Sequence, residues 1–186
     1  MFCLVRGSLS GTPLELAGSR AVALKLDVAD VTSFEAFRKE VVVALERTWG
    51  ISTLAGLVNN AGYGLFNPLA SVSEAQFDGL FSVHLKGPFF LTQALLPLLE
   101  ENASIVNLTS ATTRVATAGV APYAAFKGGL ELLTRYMAKE FGDRRIRANA
   151  VSPGAIRTEL GADSMMSSKP CWLGKRLWAE WASPRT

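Results

Sequence analysis

The sequence predicts an α/β protein built on a parallel sheet whose strands are connected by helices. Short apolar runs alternate along the chain with longer segments of helical periodicity, a pattern typical of parallel strands joined by crossover helices. The apolar runs are rich in Val, Leu, Ile and Ala and do not alternate strictly with polar residues. Such runs are typical of strands that are covered on both faces.

Five apolar runs are the predicted strands, and three longer segments are the predicted helices. The strands cover residues 2–6, 21–26, 54–58, 104–108 and 146–151, and the helices cover 31–48, 73–100 and 122–141. Asp30 is the candidate N-cap of the first helix, and Ser73 with Gln76 matches a capping box for the second. Pro122 suits the first turn of the third helix, whereas Pro97 should end or kink the second.

Composition indicates one globular domain and excludes several classes of protein. The 186 residues are 49% hydrophobic and 19% charged, and the formal net charge is only +3. Without a long basic run, nothing supports a nucleic-acid partner. No apolar run is long enough to span a membrane, and two cysteines, Cys3 and Cys171, favour a reducing compartment. We therefore expect a cytoplasmic protein without a metal site.

The segment "APYAAFK" places a phenol and an ammonium on one helix face. Tyr123 and Lys127 are four residues apart, so their side chains lie one turn from each other. A nearby cation favours the phenolate, and a phenol so tuned can exchange a proton with an alcohol or carbonyl oxygen. The pair alone is weak support for catalysis, since the same spacing occurs on ordinary exposed helix faces.

Residues suited to ligand binding follow four of the predicted strands. "IVNLTS" puts Ser110 at the end of one strand, and "LVNNAG" ends another with small residues. Asp27 follows "LKL", and "NAVSPGAIRT" follows the last strand. In open parallel sheets the carboxyl ends of the strands form the rim at which ligands bind, so these residues are predicted to meet there. A turn or cap role remains the alternative for Ser110.

The motifs "LDVAD", "NNAG", "IVNLTS", "YAAFK" and "VSPGAIRT", in this order and spacing, resemble those of the short-chain dehydrogenase/reductase superfamily. The nearest resemblance is to 3-oxoacyl-carrier-protein-reductase-like members. It implies a Rossmann-like, doubly wound parallel sheet in a three-layer α/β/α arrangement over residues 1–160. It also implies hydride transfer between NAD or NADP and a carbonyl or secondary alcohol.

The resemblance also implies a role for each matching residue. Tyr123 would be the general acid/base, Lys127 would lower its pKa and bind the nicotinamide ribose, and Ser110 would hold the substrate oxygen. His84 stands where many relatives carry an asparagine that anchors a proton-relay water; a histidine facing the core is the alternative. Cofactor contacts would come from Arg6, Asp27, Val28, Asn59, Ala61, Gly62, Tyr123, Lys127, Pro153, Gly154, Ile156 and Thr158. Arg6 slightly favours NADP over NAD because a guanidinium suits a 2′-phosphate.

The sequence departs from the family pattern near both ends. The glycine-rich turn that normally cradles the pyrophosphate is absent, so the fold is predicted to be incomplete at the N-terminus. The strands at 2–6 and 54–58 should then border a slot one strand wide or pair directly, with weak cofactor binding and marginal stability. The tail at 161–186 is atypical, with a substrate lid and disorder as alternatives.

A second hypothesis is a weakly active or inactive family member that acts through association. In the family, the helices matching 73–100 and 122–141 commonly form the subunit interface. Both segments are apolar enough here to predict a homodimer or homotetramer.

Overall fold

All five predicted strands form in the computed structural model, which describes residues 2–5 and 21–154. They are β1 (Phe2–Val5), β2 (Val22–Lys25), β3 (Leu54–Asn59), β4 (Leu99–Leu108) and β5 (Arg147–Val151). These five strands pair in parallel, as predicted. β4 begins at Leu99 rather than at residue 104, because Leu99 is buried and pairs with Leu54 of β3.

The first and third predicted helices form close to their expected positions. Helix α1 (Phe34–Trp49) follows a 3₁₀ turn, and the side chain of Asp30 caps that turn by accepting from the backbone N–H of Thr32. Gly50 ends α1 in the left-handed conformation, with φ of 68°, which glycine adopts without steric cost. The third predicted helix, α4 in the structure (Ala121–Glu140), carries Pro122 in its first turn as predicted.

The second predicted helical segment, 73–100, forms from Glu74 to Leu98, but it contains a π-helical turn that the sequence did not predict. The segment forms α2 (Glu74–Phe81), a π-helical turn (Ser82–Lys86) and α3 (Gly87–Leu95), followed by a 3₁₀ turn. The capping box at Ser73 and Gln76 is confirmed. Pro97 lies in the 3₁₀ turn, where it cannot donate the hydrogen bond that another α-helical turn would need.

The strands belong to two separate sheets. In the described part of the chain β1 pairs only with β2, and β3, β4 and β5 form a second sheet in that order. The alternative in which β1 and β3 pair directly is therefore wrong for these residues. A groove of about 650 Å³ runs beside β3, walled by apolar side chains of α1 and α3. The groove lies beside the strand at 54–58, where the sequence predicts a slot, and its described walls come from α1, β3 and α3.

The main core lies on one face of the second sheet. Leu57 and Ile105 are paired neighbours on β3 and β4, and both are buried against α1 and α3. The next residues on the same face, Asn59 and Asn107, reach side chains of α3 and α4. Helices α1, α3 and α4 therefore cover this same face.

The opposite face of the second sheet is open in residues 21–154. Val58 is 54% exposed and Val151 is 47% exposed, although the sequence predicts strands covered on both faces. Of the predicted three layers, residues 21–154 form two: the sheet, and the helices on its first face. No helix between residues 21 and 154 packs on the second face. Within the described residues, no helix is long and apolar enough to cross a membrane.

Candidate functional site

Ser110 lies at the rim of the sheet, directly after β4. Its neighbours tie two strand ends together: Thr109 N–H donates to the Val151 carbonyl at 2.8 Å, and Ala111 N–H donates to the Pro153 carbonyl at 3.0 Å. The Ser110 hydroxyl oxygen accepts from the N–H of Thr112 at 3.2 Å and from its hydroxyl at 2.9 Å. Ser110 therefore caps the following turn, and neither bond uses its own hydroxyl proton.

Tyr123 and Lys127 lie one turn apart near the start of α4. The Lys127 ammonium nitrogen is 5.8 Å from the centre of the Tyr123 ring. The same ammonium is buried and donates to the carbonyl of Leu108 at 2.6 Å, which holds it against the end of β4. Burial lowers the pKa of Lys127 from 10.5 to about 8. Helix α4 thus presents the half-buried phenol of Tyr123 beside the cation of Lys127. Both lie near the end of β4, which Ser110 directly follows.

His84 joins these residues from the π-helical turn. Its ring meets the Tyr123 ring edge-on, with centroids 4.9 Å apart. Nε2 lies 2.8 Å from the carbonyl oxygen of Tyr63, and because a carbonyl can only accept, Nε2 carries the proton. Nδ1 then presents its lone pair, and this buried atom has no partner among the described residues.

The surroundings keep the His84 ring neutral. Burial is the main cause that lowers its pKa from 6.5 to about 4, and the cation of Lys127 acts in the same direction. The hydrogen bond to the Tyr63 carbonyl opposes this shift. His84 is both a core residue, only 1% exposed, and a neighbour of Tyr123.

Gly62 gives the His84 ring its space. A Cβ at residue 62 would lie 2.8 Å from Cε1 and 3.3 Å from Nδ1 of His84. The first distance is shorter than real contacts allow, so glycine is required for this ring position. The "NNAG" segment and His84 are therefore packed as one unit, although Gly62 was predicted only as a cofactor contact.

The ends of β2 and β3 contribute less side-chain chemistry than expected. Asp27 is exposed and accepts from the N–H of Ala29 at 3.0 Å. Val28 is buried in the core, and its carbonyl oxygen lies so close to Gly87 that a Cβ there would clash with it. Ala61 is partly buried against the core. The groups of these residues that could bind a ligand are mainly backbone N–H and carbonyl groups, together with the carboxylate of Asp27.

The side chain of Asn59 points into the core rather than into the rim. Its amide nitrogen donates to Asn107 Oδ1 at 2.7 Å and to Thr92 Oγ1 at 3.2 Å. Asn107 in turn donates to Thr134 Oγ1 at 2.8 Å. Sequence reasoning missed this chain of four buried polar residues. Its signal was a single asparagine inside the apolar run "SIVNL".

Of the residues expected near the cofactor after β5, Pro153 and Gly154 are described and follow the strand at the rim. Arg6, Ile156 and Thr158 lie outside the described residues, as does the tail at 161–186. The roles predicted for these residues, including the choice between NADP and NAD by Arg6, stay predictions.

The parallel sheets with their connecting helices, and the residues grouped at the carboxyl ends of the strands, define a Rossmann-like α/β protein. Comparisons with known proteins identify its family. The family model described as enoyl-(acyl carrier protein) reductase matches residues 10–172. The 3-oxoacyl-[acyl-carrier-protein] reductase FabG of Thermotoga maritima is 39% identical over 124 residues, which are 66% of this chain and 50% of that protein.

Solved structures agree with this match. The angucycline C-6 ketoreductase LanV with bound NADP aligns with a TM-score of 0.74 and 30% identity, over 80% of this chain and 57% of that one. A short-chain dehydrogenase/reductase from Brucella melitensis aligns with a TM-score of 0.71 and 30% identity, over 80% of this chain and 58% of that one. The chain belongs to the short-chain dehydrogenase/reductase superfamily and is similar to FabG. It spans about half the length of curated relatives that it matches.

Proposed function

We propose that this chain is an NAD(P)-dependent oxidoreductase that interconverts a carbonyl compound and a secondary alcohol. The observation that carries the proposal is the pairing of Tyr123 with the buried ammonium of Lys127, beside the strand end that bears Ser110. Relatives named as reductases, and a neighbour with bound NADP, support the same reaction class.

Tyr123 is the proposed general acid/base. In the direction of reduction its hydroxyl donates a proton to the substrate oxygen, and in oxidation the phenolate takes the proton back. The positive charge of Lys127 lies 5.8 Å from the centre of the Tyr123 ring, beside the group that exchanges the proton. The hydroxyl proton of Ser110 donates a hydrogen bond to the same substrate oxygen and orients it.

Lys127 can serve two purposes at once. An ammonium has three donors, and one of them is engaged by the Leu108 carbonyl. The remaining donors suit the ribose hydroxyls of a nicotinamide nucleotide. Its lowered pKa means that the charge weakens above about pH 8, so we expect turnover that depends on Lys127 to decline there.

The chemistry of the rim fits a dinucleotide. The exposed Asp27 carboxylate, the backbone of 60–62 and the segment at Pro153 and Gly154 follow three different strands. The bound nicotinamide would supply or accept the hydride. NADP is slightly favoured over NAD, because Arg6 suits a 2′-phosphate and because LanV was solved with NADP.

His84 is the proposed anchor for a relay water. Its Nδ1 accepts hydrogen bonds, is buried and lies on the ring that contacts Tyr123. A water held there would connect the phenol to further proton carriers, in the position where relatives use an asparagine. Buried polar atoms without a partner are uncommon in folded proteins, which supports an occupant for this one.

One assay tests the proposal. The absorbance of the reduced nicotinamide is followed with a panel of ketones and alcohols, for the wild type, Tyr123→Phe and Tyr136→Phe. Tyr136 lies on the same helix but is 60% exposed, so its variant controls for loss of any phenol from α4. We expect activity to disappear only in Tyr123→Phe. Equal activity in all three proteins would contradict the role of Tyr123.

An associating, weakly active or inactive protein is the second candidate. Large apolar side chains are exposed on the helices predicted to form a subunit interface: Phe77, Phe81, Phe89, Phe90, Leu132 and Tyr136. Such exposure on neighbouring helices favours burial against a second copy. A homodimer or homotetramer is compatible with either candidate function. Inactivity of the wild type across the panel would favour this second candidate.

For the location of the protein in the cell we propose the cytoplasm, because the cysteine usage fits a reducing compartment.

A further inference from the structure

We infer that Asn107 and Thr134 are a positioning pair for the proposed active site. Their hydrogen bond holds α4 on β4 at the rotation and height that bring Tyr123 and Lys127 to the rim. The inference rests on the proposed function for its catalytic consequence. Neither residue needs to touch the substrate or the cofactor.

Thr134 shares a helix face with the proposed catalytic side chains. Relative to Tyr123 at i, Lys127 lies at i+4 and Thr134 at i+11, and these spacings return to the same side of an α-helix. Lys127 and Thr134 are both buried. A rotation of α4 that moved Thr134 away from the sheet would therefore move Tyr123 and Lys127 with it.

Two polar contacts attach this face to adjacent residues of β4. Lys127 donates to the carbonyl of Leu108 at 2.6 Å, and Asn107 Nδ2 donates to Thr134 Oγ1 at 2.8 Å. Lys127 and Thr134 are about 10 Å apart along the helix axis. Two attachments this far apart resist both rotation and sliding, whereas apolar packing tolerates small shifts more easily.

The Asn107 amide has little tolerance for a displaced helix. Its side chain is fully buried, and its oxygen already accepts from Asn59 at 2.7 Å. Its amide nitrogen donates to Thr134 Oγ1 at 2.8 Å and weakly to the sulfur of Met137 at 3.6 Å, and both acceptors lie on α4, so a displaced helix would remove both. Leaving a buried donor without a good acceptor is costly, so the network selects one helix position.

Substitutions at Thr134 test the inference in the full chain. Thr134→Val keeps the side-chain shape and removes the hydroxyl, whereas Thr134→Ser keeps the hydroxyl. Val41→Ala, in α1, is the control for loss of stability alone, because Val41 is buried and on a different helix. Each variant is measured for thermal stability, for kcat and KM, and by fluorine NMR after labelling with 3-fluorotyrosine, with the Tyr123 resonance assigned from Tyr123→Phe.

We expect Thr134→Val to lower kcat about tenfold with little change in KM, because displaced catalytic groups lose transition-state contacts. The Tyr123 resonance should shift in Thr134→Val and return in Thr134→Ser. Val41→Ala should lose stability without either effect. Wild-type kcat and an unmoved resonance in Thr134→Val would overturn the inference. If the wild type is inactive, the proposed function fails separately, and the Tyr123 resonance alone decides whether Thr134 positions the helix.

Discussion

The imidazole of His84 meets the phenol ring of Tyr123 edge-on, with the ring planes 84° apart and the centroids 4.9 Å apart. The two residues belong to different elements, a π-helical turn and the first turns of α4. π-Helical turns occur often at functional sites, where one additional residue reorients a side chain. The contact makes His84 a neighbour of the proposed acid/base, and its variants test that site directly.

Replacing His84 separates its proposed relay role from a packing role. We expect His84→Asn to preserve turnover, because an amide can also hold a water, and His84→Ala to lower kcat severalfold. Steady-state kinetics on the three proteins provide the measurement. Equal turnover in all of them would favour a histidine that serves only the core.

The pH dependence of stability should report the buried imidazole. Folding lowers the pKa of His84 from 6.5 to about 4, so between these values the unfolded chain binds more protons. The free energy of unfolding should therefore fall as pH falls through this window, by about 3 kcal/mol at most from this residue. Denaturant unfolding of wild type and His84→Asn at several pH values measures the difference. Parallel profiles for the two proteins would contradict the neutral buried ring.

Gly62 should be sensitive to a single added methyl group. Gly62→Ala forces the His84 ring to move, because the new Cβ would lie 2.8 Å from Cε1, and such overpacking costs about 1–3 kcal/mol. Gly64→Ala is the matched control, since no atom lies within 4 Å of its Cβ position. The midpoint temperature of thermal unfolding and kcat should both fall in Gly62→Ala and stay unchanged in Gly64→Ala. A similar loss in both would point to backbone flexibility instead of the ring contact.

The proposed subunit interface can be tested by placing a charge on its surface. Leu132 on α4 is 52% exposed, and Leu132→Glu should shift a dimer or tetramer toward monomer, because a buried unpaired carboxylate is unfavourable. Val43→Glu on α1, at a similarly exposed site, should leave the oligomer unchanged. Sedimentation velocity distinguishes these outcomes. A wild type that is already monomeric would remove the interface hypothesis.

Cofactor affinity tests the departure from the family's glycine-rich turn. Because the family's glycine-rich turn does not occur in this sequence, we expect fewer backbone N–H groups around a pyrophosphate and binding weaker than micromolar. Titration of NADPH and NADH by nucleotide fluorescence measures it, with Lys127→Met as the control for specific binding. Micromolar affinity for either nucleotide would show this expectation to be wrong.

Local pattern predicted most of the elements and their caps. Ser73, Gln76 and Pro122 have the positions expected of them, and Asp30 caps the 3₁₀ turn that leads into α1, because caps depend on residues within one helical turn. Over 73–100 the local pattern predicted the helical segment and its cap but not the change of helix type inside it. The π-helical turn around His84 is not encoded by a simple periodicity, and the start of β4 depends on pairing with β3.

By itself the sequence determined the parallel α/β class, the order of strands and helices, and the pairing of Tyr123 with Lys127 on one helix turn. These follow from spacings of a few residues, which the backbone geometry of helices and strands converts directly into position. Only the tertiary structure decided that His84 lies against Tyr123, that Asn59 turns inward to Asn107, and that β1 and β3 stay in separate sheets. Such contacts join residues far apart in the chain, so they depend on how whole elements pack.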